Sequence, residues 1–152
     1  MRNKKYIIIS ILAILLLFSV YIYNYNSLSK KISRDLGVYM PNNLNFEYED
    51  THHWFLGDGI TLAEADLNEK QLNQIIGKAD TDWNESPIPI EIKEIIYEPS
   101  RSILEMENGY WIFKDRKSKE SKERFPDAIT GNYSLGVIDL DTDTFYYIKF
   151  DS

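Results

Sequence analysis

Both histidines of the chain lie in one ten-residue segment, residues 50–59, which reads DTHHWFLGDG. Imidazole and carboxylate groups together can bind zinc or a similar cation. On an extended strand every second side chain points the same way, so Asp50 and His52 would face one side and His53 the other. Asp58, across the turn, could supply a third ligand. The segment therefore permits a metal-dependent hydrolase that uses Asp50, His52 and Asp58.

The same segment is also typical of a β-hairpin with a glycine-rich turn. Asp and His side chains often bond to turn amides, and adjacent histidines lack the helical spacing of a zinc motif. We therefore predict no catalytic residue, no metal and no cofactor. We interpret the segment instead as a binding surface formed by Asp50, His52, Trp54 and Asp58, with Trp54 as a possible anchor.

A second acidic motif, Asp139, Asp141 and Asp143, has the spacing that opens a calcium-binding loop. The glycine required at the sixth loop position is replaced by Thr144, and the bidentate glutamate at the twelfth by Phe150. Aspartates are common in turns between strands, so the motif predicts the turn of a hairpin.

The segment 114–124 is rich in Lys and Arg, interspersed with acidic residues. Basic clusters can dock on anionic lipid or on a polymer of the cell envelope. A mixed charge run is more often a solvated loop, and we interpret this segment as one.

The N-terminal segment 6–23 contains 18 residues without a charge. As a helix it would span about 27 Å, close to the hydrocarbon thickness of a bilayer. A cleaved signal peptide is the alternative, but the apolar run is long and no Ala-x-Ala site follows it. We predict a single-pass anchor in contact with membrane lipid. The basic head at Arg2, Lys4 and Lys5 indicates that residues 1–25 comprise a cytoplasmic head and the anchor, with the rest of the chain outside the cell.

Charge is distributed unevenly along the chain. From residue 35 onward there are 11 Lys and Arg against 24 Asp and Glu, a net charge of −13. Such a surface repels phosphate backbones, so nucleic acid is excluded as a partner, whereas a cationic partner or an envelope protein is compatible. The absence of cysteine excludes disulfides and thiol chemistry.

Hydrophobic periodicity predicts the remaining organisation. Leu28, Ile32 and Leu36 recur every four residues, so we expect residues 26–43 to form a helical juxtamembrane stalk or linker. The rest, residues 44–152, is predicted to be an extracytoplasmic α+β domain. The expected elements are strands near 44–49, 60–67 and 110–113, a helix capped by Asn68 and Gln71, a helix or strand at 88–96, and a C-terminal hairpin at 133–150.

Three segments, DTHHWFLGDG at 50–59, ENGYWIFKDR at 107–116 and NYSLGVIDLDTDTFYYI at 132–148, resemble a family of small uncharacterised extracytoplasmic or membrane-anchored proteins of Gram-positive bacteria. The first is similar to the motif D-T-H-G-G-F-H-G-D-G, with His53 and Trp54 in place of the two glycines and Leu56 in place of the second histidine. The resemblance implies a shared hairpin geometry and no particular activity.

The expectations combine into one hypothesis. The fold is α+β, with an N-terminal transmembrane helix followed by an antiparallel sheet of about five strands and one or two helices packed on one face. The predicted function is a membrane-tethered extracytoplasmic binding or accessory module. The alternatives are the metal-dependent hydrolase and an immunity-type protein whose acidic domain neutralises a cationic toxin.

Overall fold

The structure, a computed structural model, describes residues 2–25, 27–52, 58–77, 82–96, 98–116 and 131–152, without the side chains of residues 2–5, 7–8, 21–25, 98–99 and 101. The described helices are α1 (Arg2–Tyr25), α2 (Leu28–Leu36), α3 (Glu69–Ile76), α4 (Ile90–Ile95) and a 3₁₀ helix (Glu98–Glu105). The strands are β1 (Glu47–Asp50), β2 (Gly59–Asp66), β3 (Asn84–Glu85), β4 (Gly109–Asp115), β5 (Tyr133–Asp139) and β6 (Thr144–Asp151).

The six strands form one antiparallel sheet in the order β1-β2-β6-β5-β4-β3. The predicted α+β class with an antiparallel sheet is confirmed. The sequence predicted about five strands, and the additional one is β3, which has only two residues and pairs with β4. Two residues carry too little alternation to mark a strand, so this element depends on its neighbour.

The C-terminal hairpin is confirmed, and the three aspartates form its turn. The Asp139 carboxylate accepts a hydrogen bond from the backbone N–H of Asp141 at 2.9 Å. Asp143 adopts a left-handed backbone with φ of 51°, a conformation that Asp tolerates better than most residues. The prediction of a hairpin turn at these aspartates is therefore confirmed.

The two short helices start where their capping residues predict. The Asn68 side chain accepts from the N–H of Gln71 at 3.0 Å while the Gln71 side chain accepts from the N–H of Asn68 at 2.9 Å, a complete capping box. Helix α4 begins after Pro89, whose ring presets a helical φ. The alternative of a strand at 88–96 is therefore wrong.

Helices cover both faces of the sheet, which corrects the prediction that they pack on one face. The α2 face is covered by α2 and α3, which bury Ile32, Leu36 and Ile75 against it. The α4 face is covered by α4 and the 3₁₀ helix, which bury Ile92 and Leu104. The central strands are apolar on both sides, so each side must be shielded from water.

Segment 26–43 differs from the predicted stalk, because α2 belongs to the core of the domain. Ile32 and Leu36 are fully buried, and Val38 and Met40 continue the same cluster. Gly37 ends the helix with a left-handed φ of 71°. The stripe that predicted a helix is thus its buried face, and the domain begins at α2.

The large apolar side chains described in α1 are exposed, with accessible fractions from 52% to 69% between residues 9 and 20. Within the described part of the chain, no helix combines the length and the apolar character needed to cross a bilayer.

Candidate functional site

Strand β6 carries three polar side chains on the α2 face toward its C-terminal end. Tyr147, Lys149 and Asp151 lie two residues apart, so they point to the same side. Their register partners on β2 are small, with Thr61 opposite Lys149 and Gly59 opposite Asp151. Because the residues on β2 are small, side chains from neighbouring elements can reach these polar groups of β6.

His52 follows β1 and lies between two carboxylates. Its Nδ1 is 2.5 Å from Asp50 Oδ1, and its Nε2 is 2.9 Å from Asp151 Oδ2. Both ring nitrogens of His52 thus contact carboxylate oxygens. A Cβ added to Gly59 would lie 2.4 Å from the Cα of His52, so glycine is required for this close approach. His52 therefore joins β1 to the last residues of β6.

Asp151 is the centre of the network. Its carboxylate accepts from the Arg116 guanidinium and from His52, and the Lys149 ammonium lies 3.3 Å away. Burial raises the pKa of Asp151, but the hydrogen bonds from Arg116 and His52 and the charges of Arg116 and Lys149 outweigh it, so the net pKa is lowered. Three basic side chains thus share one carboxylate.

Asp50 supports His52 through two contacts. Its Oδ1 also accepts from the backbone N–H of His52 at 3.1 Å, an Asx-type turn. Burial acts to raise the pKa of Asp50, while the hydrogen bonds and charge of His52 and the charge of Lys149 lower it by more. The carboxylate is therefore held in its ionised form.

Helix α2 is joined to the same network. The Tyr147 hydroxyl donates to Asp35 Oδ2 at 2.6 Å, and the Lys149 ammonium is 4.0 Å from that oxygen. Burial and the bond to the Asp35 carboxylate raise the pKa of Tyr147 well above its usual range, so the phenol stays protonated and donates. The position of α2 on the sheet thus depends partly on a buried polar contact.

A cavity of about 420 Å³ opens beside the network, between the first two turns of α2 and the sheet. Its lining combines charged, hydroxyl and apolar side chains: Leu28, Lys31, Tyr48, Asp50, His52, Thr61, Tyr147 and Lys149. This volume is within the range of small-molecule sites, and its polar groups converge from four elements. The arrangement can hold a small polar ligand or part of a larger one.

The predicted binding residues are divided by the structure. Asp50 and His52 contact each other and line the cavity. Asp58 is exposed just before β2, and the place predicted for it beside His52 is taken by Asp151. Trp54 and His53 lie outside the described residues. Across the described ranges, no three His, Asp or Glu side chains are grouped so that they could hold a metal ion.

Sequence reasoning missed the residues that complete the network: Asp35, Arg116, Tyr147, Lys149 and Asp151. One signal was available, because alternate positions of β6 pass from Phe145 to Lys149 and Asp151, and charged residues on an otherwise buried face usually have partners. The partners themselves are distant in sequence. Asp151 and His52 are 99 residues apart, so only the fold brings them together.

Comparison with known proteins gave no relative. No protein-family model, curated protein or solved structure matches this chain. The resemblance to small extracytoplasmic proteins of Gram-positive bacteria therefore stays a prediction, and the function must be argued from the cavity and its lining residues.

Proposed function

We propose that this chain is a membrane-tethered extracytoplasmic binding module, with α1 as the tether and the cavity beside His52 as the binding site. The observation that carries the proposal is that cavity, which is lined by α2, the first element after α1, and by β1, β2 and β6. Asp50 and His52, which the sequence predicted as binding residues, belong to this proposed site. The site itself is the cavity beside α2 and not the turn that follows His52.

The tether is proposed from the sequence and exposure of residues 6–23, because the described residues of α1 by themselves do not form a span long and apolar enough to cross a bilayer. Nine of its described side chains between residues 9 and 20 are exposed Ile, Leu, Phe or Val, interrupted by Ser10, Ala13 and Ser19. Apolar surface of this extent on a soluble monomer is rare and marks contact with a membrane or another protein. The 18 uncharged residues and the tyrosines at both ends favour lipid.

Binding is favoured over catalysis by the two contacts of the His52 ring. A general base or a zinc ligand needs a ring nitrogen with a free lone pair. Asp50 and Asp151 occupy both nitrogens of this imidazole, at 2.5 and 2.9 Å. His52 therefore serves to join β1 to β6 beside the cavity.

The tether can be tested by thiol labelling, because the chain contains no cysteine. Asn3→Cys and Asp141→Cys place a single thiol on either side of the uncharged segment 6–23, one in the N-terminal head and one in the exposed turn of the C-terminal hairpin. A membrane-impermeant maleimide should label intact cells only at residue 141, and both variants should stay in the carbonate-washed membrane fraction. Labelling at residue 3 alone, or recovery of both variants in the soluble fraction, contradicts the proposal.

The binding site can be tested by photocrosslinking from within the intact membrane. Leu28 is half-buried in the wall of the cavity, and Ile90 on α4 is 60% exposed but lies on the opposite face. A photoreactive phenylalanine analogue at position 28 should form a discrete adduct, while the same analogue at position 90 should not. Equal adducts at both positions would show that the cavity binds nothing selectively.

A further inference from the structure

We infer that the cavity between α2 and the sheet binds the phosphate ester of a membrane amphiphile, with Lys31 and Lys149 facing the phosphate and the Thr61 hydroxyl bonding to it. The inference rests on the proposed tether, because the tether sets the depth of the cavity relative to the bilayer. It adds a ligand class and the residues that recognise it.

The cavity lies close to the end of α1 along the chain. Helix α1 ends at Tyr25, and Leu28, three residues later, already lines the cavity. Three residues span at most about 10 Å, so the wall of the cavity lies within that distance of the end of α1. The headgroup layer on each side of a bilayer is about 5–8 Å thick, so a membrane-spanning α1 would place the cavity opening at the headgroups.

The cavity is lined by two ammonium groups, Lys31 and Lys149, and one carboxylate, Asp50, in a domain whose net charge from residue 35 onward is −13. Lys31 is exposed, and it forms no ion pair with any residue that the structure describes. Lys149 lies 3.3 Å from Asp151, which also accepts from Arg116 and His52, and 4.0 Å from Asp35. An anion in the cavity could accept hydrogen bonds from both ammonium groups, and phosphate accepts such bonds strongly.

The cavity lining also contains a buried hydroxyl and apolar surface, which suit the rest of a lipid phosphate ester. Thr61 is only 8% exposed and lines the cavity, and its hydroxyl reaches Nδ1 of His52 only at 3.5 Å, a marginal distance. Leu28 and the ring of Tyr48 add apolar surface to the lining, suited to the glycerol and first methylenes of a lipid. A buried hydroxyl, two ammonium groups and an apolar edge are what a phosphate ester with a hydrocarbon chain requires.

A second groove on the protein provides an internal contrast. This groove, of about 360 Å³, is lined by Glu47, Glu49 and Glu64 beside Tyr146. Its three carboxylates repel a phosphate at any pH at which they are ionised. Selective binding of an anionic headgroup should therefore involve only the cavity beside α2.

The test is calorimetric titration of the full chain in a mild neutral detergent. The probes are short-chain phosphatidylglycerol, the matching diacylglycerol without phosphate, glycerophosphoglycerol without acyl chains, and inorganic phosphate. The variants are Lys31→Gln and Thr61→Val, with Lys30→Gln as the control, since Lys30 is adjacent in sequence but does not line the cavity. We expect phosphatidylglycerol to bind, with affinity about tenfold lower in each cavity variant, the effect of one charge-assisted hydrogen bond, and within twofold of wild type in the control.

Each other outcome overturns the inference. Equal losses in Lys30→Gln and Lys31→Gln would identify diffuse surface attraction, and equal binding of diacylglycerol would remove the phosphate from the recognition. Equal affinity for phosphatidylglycerol, glycerophosphoglycerol and inorganic phosphate would reject a membrane source for the anion. Failure of the tether would appear separately, as soluble protein in the fractionation experiment, so the two proposals fail in distinguishable ways.

Discussion

The two faces of the sheet are built from the same strands but differ in what they can do. On the α4 face, large apolar side chains fill the space, and Phe113, Tyr133 and Phe150 stack with ring centroids 5.7 and 5.5 Å apart. On the α2 face, β2 contributes Gly59, and Thr61 lies opposite Lys149. The α4 face is filled by apolar side chains. The α2 face has an apolar core in one part and the ionic network and cavity in another.

The difference indicates a division of labour within one small domain. Close packing of large side chains supplies most of the free energy of folding. Small residues at positions 59 and 61 give up part of that packing and create room for polar groups. Evidence for function should therefore be sought on the α2 face, and the stability of the domain should depend most on the α4 face.

The sharpest test of this contrast is Leu135→Ala on β5. Leu135 is 0% exposed at the centre of the α4 face, and truncating a buried leucine costs about 2–5 kcal/mol. Urea unfolding of the full chain in detergent, followed by tryptophan fluorescence, should show a loss of this size. Ile90→Ala, at an exposed position of α4, is the control and should change stability by less than about 0.5 kcal/mol.

The polar part of the α2 face can be weakened by Tyr147→Phe. The change removes the hydroxyl that donates to Asp35 and retains the buried ring, and a bond to a charged group contributes about 1.5–3 kcal/mol. The same urea experiment measures it, with Tyr146→Phe on the α4 face as the matched control. If both variants unfold at the same urea concentration, the contact between α2 and β6 contributes nothing to stability.

The close approach of β2 to His52 can be broken by Gly59→Ala. The added Cβ would contact backbone atoms of His52, which must move, and overpacking of this kind costs about 1–3 kcal/mol. In Gly136→Ala, the new atom meets mainly the flexible end of Leu36, so the cost should be smaller. Imidazole proton signals should shift in the first variant and not in the second, which would show that His52 depends on this glycine.

The smallest expected effect is on the dependence of stability on pH. The pKa of Asp151 is lower in the folded than in the unfolded chain, so the unfolded chain binds more protons in acid. The contribution of ionised Asp151 to the free energy of unfolding is fully present above the pKa of the unfolded chain, near 4. It is lost as the pH falls through the lowered pKa of the folded chain. Urea midpoints measured from neutral pH to about pH 2.5 should therefore fall less steeply in Asp151→Asn than in wild type.

Asp58→Asn is the control for that experiment, because Asp58 is exposed and Asp151 occupies the position beside His52. This control should keep the slope of the wild type. A reduced slope in the control, with a wild-type slope in Asp151→Asn, would show that Asp58 and not Asp151 is the carboxylate paired with His52.

Local signals in the sequence predicted the elements well and their assembly less well. The capping box at Asn68 and the turn at Asp141 depend on contacts within three residues, so the residue types alone were enough to predict them. Helix α2 was predicted as a helix but placed outside the domain, because a stripe of apolar residues shows that a face is buried without showing what covers it.

The candidate site illustrates the same limit. Asp50 and His52 are two residues apart, and strand alternation indicated that they face the same way. The choice of Asp58 as the third group assumed that a residue near in sequence is near in space. In the structure that place belongs to Asp151, at the other end of the chain from β1, because β6 lies next to β2 in the sheet.

By itself, the sequence determined most of the longer helices and strands, the acidic charge of the domain and the uncharged N-terminal segment, since each depends on residue type and short-range geometry. Only the tertiary structure decided that α2 joins the core, that helices cover both faces and that His52 lies between Asp50 and Asp151. The physical reason is that pairing of strands far apart in sequence sets which side chains meet, and no local pattern records that choice.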